Sequence, residues 1–193
     1  AGGIYNYWWG NDLWVTTSNI AGGWHLITAT YDQATQINKI YLDGTLVGQR
    51  TGSMNVQPAT NARIGVTCLS CGDFFQGVID DVSVWNRAVT QSEVTSMVSA
   101  APSMSATGLL AYYTFNEGSG STTANSVSGA TAANGTLMNS PTWAASGSPV
   151  SSGSKISLAI ANGQSGSVTF AGNVSAKNFT GGSGTYNLSM TGA

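Results

Sequence analysis

Two stretches of strand-and-turn grammar constrain this chain more than anything else in it: GWHLITATYDQATQINKIYLDGTLV from Gly23 to Val47, and FFQGVIDDVSVWNRAVTQSEV from Phe74 to Val94. In the first, Trp24, Leu26, Thr28 and Thr30 alternate with His25, Ile27, Ala29 and Tyr31. Both faces are apolar until the polar run from Asp32 to Gln36, so the segment reads as a central strand. Ile37 to Leu42 returns antiparallel, and Asp43-Gly44 supplies the positive φ angles of a two-residue type I′ turn before Thr45 to Gly48. Arg63 to Val66 and Val78 to Trp85 read as further strands. The period then changes from two to 3.6. Thr90-Gln91-Ser92-Glu93 is a capping box, Val94, Met97 and Val98 fall on one helical face, and Pro102 follows the end. The expectation is an all-β, antiparallel two-sheet sandwich carrying one short helix.

Composition excludes several partners. Charged residues make up 7% of the chain, against about a quarter in ordinary soluble domains. Ser, Thr, Asn and Gly replace them, so the surface is polar but nearly uncharged. A net charge of -2 provides neither a basic footprint for nucleic acid nor a polybasic membrane stripe. No apolar run approaches the roughly 18 residues that span a bilayer, which argues against membrane insertion. Ala1 opens without a signal pattern, and the chain reads as a processed form or as part of something longer. Weak mutual repulsion permits close association between copies.

The chemistry of catalysis is sparse. The eight acids are Asp12, Asp32, Asp43, Asp73, Asp80, Asp81, Glu93 and Glu117, and no E-x-D-x-x-E pattern of a jelly-roll glucanase occurs among them. Glu93 is explained by its helix cap and Asp43 by its turn, while Asp80 and Asp81, on one strand, point to opposite faces. The single histidine, His25, sits beside Trp24 in a strand interior and reads as a packed side chain rather than a general base. No catalytic residue is assigned. Cys68 and Cys71, in a loop between strands, lack the second ligand pair of a structural zinc site. A local disulfide suits them better than a redox motif, since no helix N-terminus follows to lower a thiol pKa. Such a staple points to an oxidising, extracellular compartment.

Aromatic residues crowd the N-terminal segment: Tyr5, Tyr7, Trp8, Trp9 and Trp14. Flat rings suit the apolar faces of sugars and large protein contacts. Trp8 and Trp9, on opposite faces of one strand, cannot both enter one core, so one of them faces outward or a partner. Taken singly, Tyr7, Trp9 and Trp14 also fit as core residues.

The ordered elements from about Tyr5 to Ala100 carry a family resemblance. They are a G-x-W-H strand, a Tyr-Asp followed by an I-Y-L-D-G hairpin, an R-I-G strand, and the closing G-x-I-D-D-V-x-V-W-N-R-A strand with its helix. Together they resemble the C-terminal portion of a laminin-G-like domain of the concanavalin-type lectin/glucanase jelly roll. GLLAYYTFNEGSGSTTANS from Gly108 and NGTLMNSPTW from Asn134 resemble the opening of the same family, placed here after the closing strand. The resemblance implies an antiparallel two-sheet jelly roll. Residues 1–102 are its C-terminal portion, and residues 103–145 are opening strands that complete the fold in their own chain or in a neighbouring copy. Either Leu109 to Phe115 pairs with Ile79 to Trp85 in a permuted sandwich, or it adds to the exposed edge of another copy and joins subunits into a polymer.

The resemblance also implies a structural calcium, bound by loop oxygens. If Leu109 to Phe115 lies beside Ile79 to Trp85, then Asn116 and Glu117 approach Asp80 and Asp81. The alternative is that these acids satisfy backbone N–H groups at turns and strand ends. A Ser/Gly linker at residues 146–154 leads to a β-rich extension, residues 155–193, with strands expected at Lys155 to Ala161, Gly166 to Ala171 and Gly184 to Met190. This tail resembles the short β repeats of fibrous tail and adhesin shafts. It also fits an added hairpin or the first strands of a following domain.

The function expected is that of a non-catalytic module, secreted or on a cell surface, binding glycan or extracellular protein within a larger adhesin or fibre. A self-assembling filament subunit joined by strand exchange is the alternative, and an ancillary or catalytic domain of a carbohydrate-active enzyme is the third reading.

Overall fold

The computed structural model describes residues 2–8, 10–17, 20, 23–54, 62–66, 74–130, 132–144, 148, 167–171 and 187–191. Trp9, the Cys68–Cys71 pair, nearly all of the linker and the strand expected at Lys155 to Ala161 lie outside them. The chain divides into two units, Ala1–Ser154 and Lys155–Ala193.

The first unit is mostly β with one short helix. β1 (Gly2–Asn6) and β2 (Leu13–Thr17) form an antiparallel hairpin in which Tyr5 faces Trp14 and Asn6 faces Leu13. β3 (Ile27–Asp32), β4 (Ile37–Leu42) and β5 (Thr45–Thr51) follow as an antiparallel sheet in the order β3-β4-β5. The central strand is therefore β4, not the Trp24 to Thr30 segment. The residues immediately after β4 explain the tight return: Asp43 and Gly44 have φ of 49° and 80°, the positive pair that a type I′ turn needs.

β4 is buried on both faces, which gives this sheet two cores. Ile40 packs with Leu13 and Val15 of β2, joined by Ile4 and Val47. Tyr41, on the other side, packs with Val89 and with Val94 and Met97 of α1 (Gln91–Met97), joined by Leu26 and Trp85. Burial of such side chains stabilises by about 1.5–3 kcal/mol each. The helix starts where the capping box places it: Thr90 accepts from the Glu93 N–H, and the Glu93 carboxylate accepts from the Thr90 N–H at 2.7 Å. Its last turn lies over the β4–β5 turn, where a Cβ on Gly44 would come within 3.0 Å of Val98 Cγ2.

β6 (Val82–Trp85) pairs antiparallel with β7 (Leu109–Tyr113) of the same chain, Val82 opposite Tyr113 and Ser83 opposite Tyr112. β6 is shorter than the strand expected from Val78, and Asp80 and Asp81 precede it. Asp81 has a φ of 52°, a turn conformation, so the two acids are not on opposite faces of a strand. Arg63 to Val66 forms no strand; only Val66 makes an isolated bridge, to Phe74. The far side of β7 is occupied by the Asn125 side chain, which accepts from Tyr112 N–H and donates to Leu110 C=O. β8 (Thr122–Thr123) and β9 (Gly135–Thr136) form a short antiparallel pair.

In the second unit, β10 (Ser167–Ala171) pairs with β11 (Asn187–Thr191) in parallel. These two strands are therefore not a hairpin, since parallel partners need a crossover connection of a dozen or more residues. Among the described residues no helix is long and apolar enough to cross a membrane.

Candidate functional site

Strand periodicity builds the site. Along β2, Leu13 and Val15 turn into the core while Trp14 and Thr16 turn outward, as a period of two dictates. Tyr5, the cross-strand partner of Trp14, and Tyr7 share that outer face, and the three are 48% (Tyr5), 49% (Tyr7) and 58% (Trp14) exposed. These values remove Tyr7 and Trp14 from the core positions that either could have filled. The Tyr5 ring centroid lies 5.6 Å from that of Tyr7 and 5.5 Å from that of Trp14, with interplanar angles of 52° and 61°. The three rings form one contiguous surface of tilted planes.

The indole of Trp14 lies down on the hairpin because Gly3 has no side chain: a Cβ there would meet Trp14 Cζ2 at 2.5 Å and Cε2 at 2.9 Å. Trp14 Nε1 donates to Thr16 Oγ1 at 3.3 Å, which fixes the ring's direction. The Tyr5 hydroxyl donates to Asp12 Oδ2 at 2.7 Å, and the Trp8 N–H donates to Asp12 Oδ1 at 2.5 Å. The Trp8 N–H and then the Tyr5 hydroxyl hold the Asp12 carboxyl below the usual carboxylate range. The same hydrogen bond to Asp12 raises the Tyr5 phenol. Asp12 is therefore an anion at neutral pH, with its backbone fixed in turn: Arg50 of β5 donates to the carbonyls of Asp12 at 2.8 Å and Gly10 at 3.4 Å.

Trp8 departs from the platform. It is half-buried, its Nε1 donates to Asn6 Oδ1 at 2.9 Å, and its ring faces Tyr31 at 6.3 Å. Asn6 continues inward, donating to Oδ1 of the fully buried Asn38 at 2.9 Å. Trp8 thus anchors the hairpin to the sheet.

The four residues expected to hold calcium do not converge. Asp81 accepts from the Tyr112 hydroxyl at 2.5 Å and from Ser148 Oγ at 3.0 Å, and Asp80 Oδ1 accepts from the Asp81 N–H at 3.0 Å. Glu117 instead accepts from Thr123 Oγ1 at 3.0 Å and the Ala124 N–H at 2.8 Å, tying up its own loop. Asn116 is exposed. Among the described residues no three of His, Cys, Asp and Glu gather to hold a metal. The pairing of β6 with β7 fixes neighbouring strands, but the turn at Asp81 and the loop bonds of Glu117 separate the acids that sequence proximity to that edge had joined. Partial burial, opposed by the Tyr112 hydrogen bond, leaves the Asp81 carboxyl raised above its ordinary value.

His25 is not a packed core residue. It is exposed and its Nδ1 lies 2.7 Å from Asp43 Oδ2, while Asp43 Oδ1 accepts from the Leu26 N–H. The turn residue thus ties down the segment entering β3, a role that spacing alone did not announce. A cleft of about 1510 Å³ runs between β3 and the Phe75 to Val89 stretch, bordered by His25 and Asp43 and by the exposed Ile27, Val78 and Val84. Its size exceeds that of ordinary ligand pockets, about 300–1,000 Å³; Gly3 and Trp8 of the hairpin reach its border, but none of the three platform rings lines it.

With this geometry in view, the relatives of the chain can be placed. A laminin-G-type family model, the concanavalin A-like lectin/glucanases superfamily, matches residues 1–95. Over those residues the chain carries a domain of that superfamily. A candidate carbohydrate-binding protein from Bacteroides ovatus superposes with a TM-score of 0.56 at 22% identity, covering 69% of this chain and 41% of its own. At that identity the likeness shows a shared fold alone. An S-layer domain-containing protein from Clostridium thermocellum reaches a TM-score of 0.37 at 19% identity, covering 44% of this chain and 43% of its own, an overlap too slight to bear on the fold. The chain thus spans less than half the length of either structure. None of the curated proteins matches it.

Proposed function

We propose that this chain is a non-catalytic module that binds glycan outside the cell, through the outer face of the β1–β2 hairpin. The domain is read as a two-sheet jelly roll whose outer surface carries the ligand site, as part of a larger surface protein. The observation that carries the reading is the contiguous exposure of Tyr5, Tyr7 and Trp14 on one sheet face. Exposed large rings in contact with one another retain surface that only a partner can cover. The lectin-like superfamily of residues 1–95 and the description of the Bacteroides ovatus protein support a carbohydrate as that partner. The acids support a non-catalytic role because each one among the described residues has a structural duty: Asp12 and Asp32 in turns, Asp43 at the β3 entry, Asp80 and Asp81 in the turn before β6, Glu93 in its cap and Glu117 in its loop. The nearly uncharged surface and the Cys68–Cys71 spacing support an extracellular setting. A glycan array with the purified chain tests the reading. Binding that disappears in Trp14→Ala while the melting temperature holds is expected; binding unchanged in Tyr5→Ala/Trp14→Ala overturns it.

Self-association is the second reading, and one observation favours it. Among the described residues β3 pairs only with β4, and its sequence Ile27-Thr28-Ala29-Thr30-Tyr31 carries none of the lysines or prolines that protect exposed edges. The partner in this reading is a second copy, edge to edge. Mass measured by light scattering across a dilution series should then exceed the monomer and fall in Ala29→Lys; a monomer at every concentration rejects it.

A further inference from the structure

We infer that the Tyr5, Tyr7 and Trp14 face takes a single, soluble, neutral glycan chain of β-linked pyranoses, and neither crystalline polysaccharide nor an acidic glycan. This inference rests on the reading of that face as the glycan site.

Shape decides between a soluble chain and a crystal surface. A crystalline polysaccharide presents one plane, and several rings contact it together only when they are coplanar. Here the planes of Tyr7 and Tyr5 meet at 52° and those of Tyr5 and Trp14 at 61°. The indole is a floor, laid on the backbone at Gly3 and held by Thr16, and the Tyr5 ring rises beside it as a wall, inclined at 61°. Such a corner receives one chain that can twist. The 5.5 and 5.6 Å between neighbouring centroids approximate the advance of one sugar unit along an extended chain. Adjacent pyranoses can therefore each meet an aromatic surface. A pyranose stacks well only if one of its faces bears C–H bonds alone, which equatorial, β-linked units provide.

Charge decides between neutral and acidic chains. Asp12 lies against Tyr5 at the wall, and its carboxylate has lone pairs left to accept sugar hydroxyls after the two hydrogen bonds from Tyr5 and Trp8. A uronate or sulfate at that position meets a like charge. Arg50, the cation beside Asp12, directs its N–H groups at the Asp12 and Gly10 carbonyls beneath the loop. The platform thus presents an acceptor, not a donor fork for an anion.

The experiment is isothermal titration of the full chain with cellohexaose, xylohexaose, polygalacturonate oligomers and heparin oligomers, with pull-down on microcrystalline cellulose in parallel. Each arm is repeated with Trp14→Ala and Asp12→Asn. The expected result is binding of at least one neutral hexamer and none in the acidic or crystalline arms. Trp14→Ala should weaken that binding about tenfold or more, the size of one lost stacking contact. Asp12→Asn, which removes the charge and keeps one acceptor oxygen for the Trp8 N–H, should weaken it less and admit the polygalacturonate oligomers. Binding confined to cellulose crystals or to the acidic oligomers, and lost in Trp14→Ala, overturns the ligand class while leaving the platform intact. Neutral binding that survives Trp14→Ala overturns the platform itself, and silence in every arm overturns both.

Discussion

Two tryptophans of this chain sit in nearly the same local geometry and meet opposite fates. Trp14 Nε1 donates to Thr16 Oγ1, and Trp85 Nε1 donates to Ser83 Oγ at 3.0 Å, so each indole is pinned to a hydroxyl two residues away along its own strand. Trp85 packs with Tyr41, Val94 and Met97, and the Arg87 guanidinium lies 5.1 Å above its ring. Among the described residues Tyr5 is the ring that stacks beside Trp14, which remains more than half exposed. The difference lies in the path the chain takes on leaving each strand. After β6 it makes a capped helix whose apolar face covers the indole; the rings on the outer face of the β1–β2 hairpin stay exposed. Covered rings stabilise the fold, while bare rings keep their desolvation energy for a ligand.

The comparison breaks most easily in the core under α1. Met97→Ala should lower the unfolding free energy by about 2–5 kcal/mol, whereas Trp14→Ala should change it by about 1 kcal/mol or less. Urea denaturation of the two variants measures both, and equal losses erase the distinction. Next comes the turn beneath the helix. Gly44 has φ of 80° and Val98 lies directly over it, so Gly44→Ala should cost about 1–2 kcal/mol and lower the melting temperature.

A smaller effect is expected from the clamp that holds the cover in place. Arg87 donates to both Glu93 oxygens, at 2.9 and 2.5 Å, and its Nε donates to Thr107 C=O at 2.8 Å. This clamp, and then the Thr90 N–H, lower the Glu93 carboxyl from 4.5 to about 2. A depressed folded-state value means that the contribution of Glu93 is whole above about 4.5 and is lost as pH falls toward about 2. Glu93→Gln should flatten stability against pH across that window, and only slightly, because both side chains are partly solvated. Asp81 has the opposite sign. Its raised value favours the protonated form in the fold, so its contribution declines as pH rises above the ordinary 3.8. In Asp81→Asn that decline should vanish from the same melting curves. The smallest expected effect belongs to calcium: because Asp80, Asp81 and Glu117 do not converge, millimolar calcium or its chelation should leave the melting temperature of the chain unmoved.

Much of the architecture was legible where it depends on neighbours in sequence. Asp43-Gly44 and the Thr90 to Glu93 box specify φ angles and caps within four residues, and both form as written. The β6–β7 pair was one of the two alternatives that the family resemblance implied, although its start at Val82 was not, because Asp81 turns through a left-handed conformation no pattern announces. The site was half legible. Counting aromatic residues located the hairpin, but alternation alone did not tell Trp8, which turns inward to Asn6, from Tyr5 and Trp14, which remain outside. Gly3, which makes room for the indole, and Asp12, which orders the tyrosine, are ordinary turn-and-strand residues with no motif of their own.

By itself the sequence determined the turns, the cap, the mostly β class and the near absence of charge, since each follows from local backbone preference or from composition. Only the tertiary structure decided which aromatic rings are covered, which carboxylates share a neighbourhood, and that His25 meets Asp43. Those outcomes depend on whether a second layer arrives over a given face, and that is a property of the whole chain's packing rather than of any window along it.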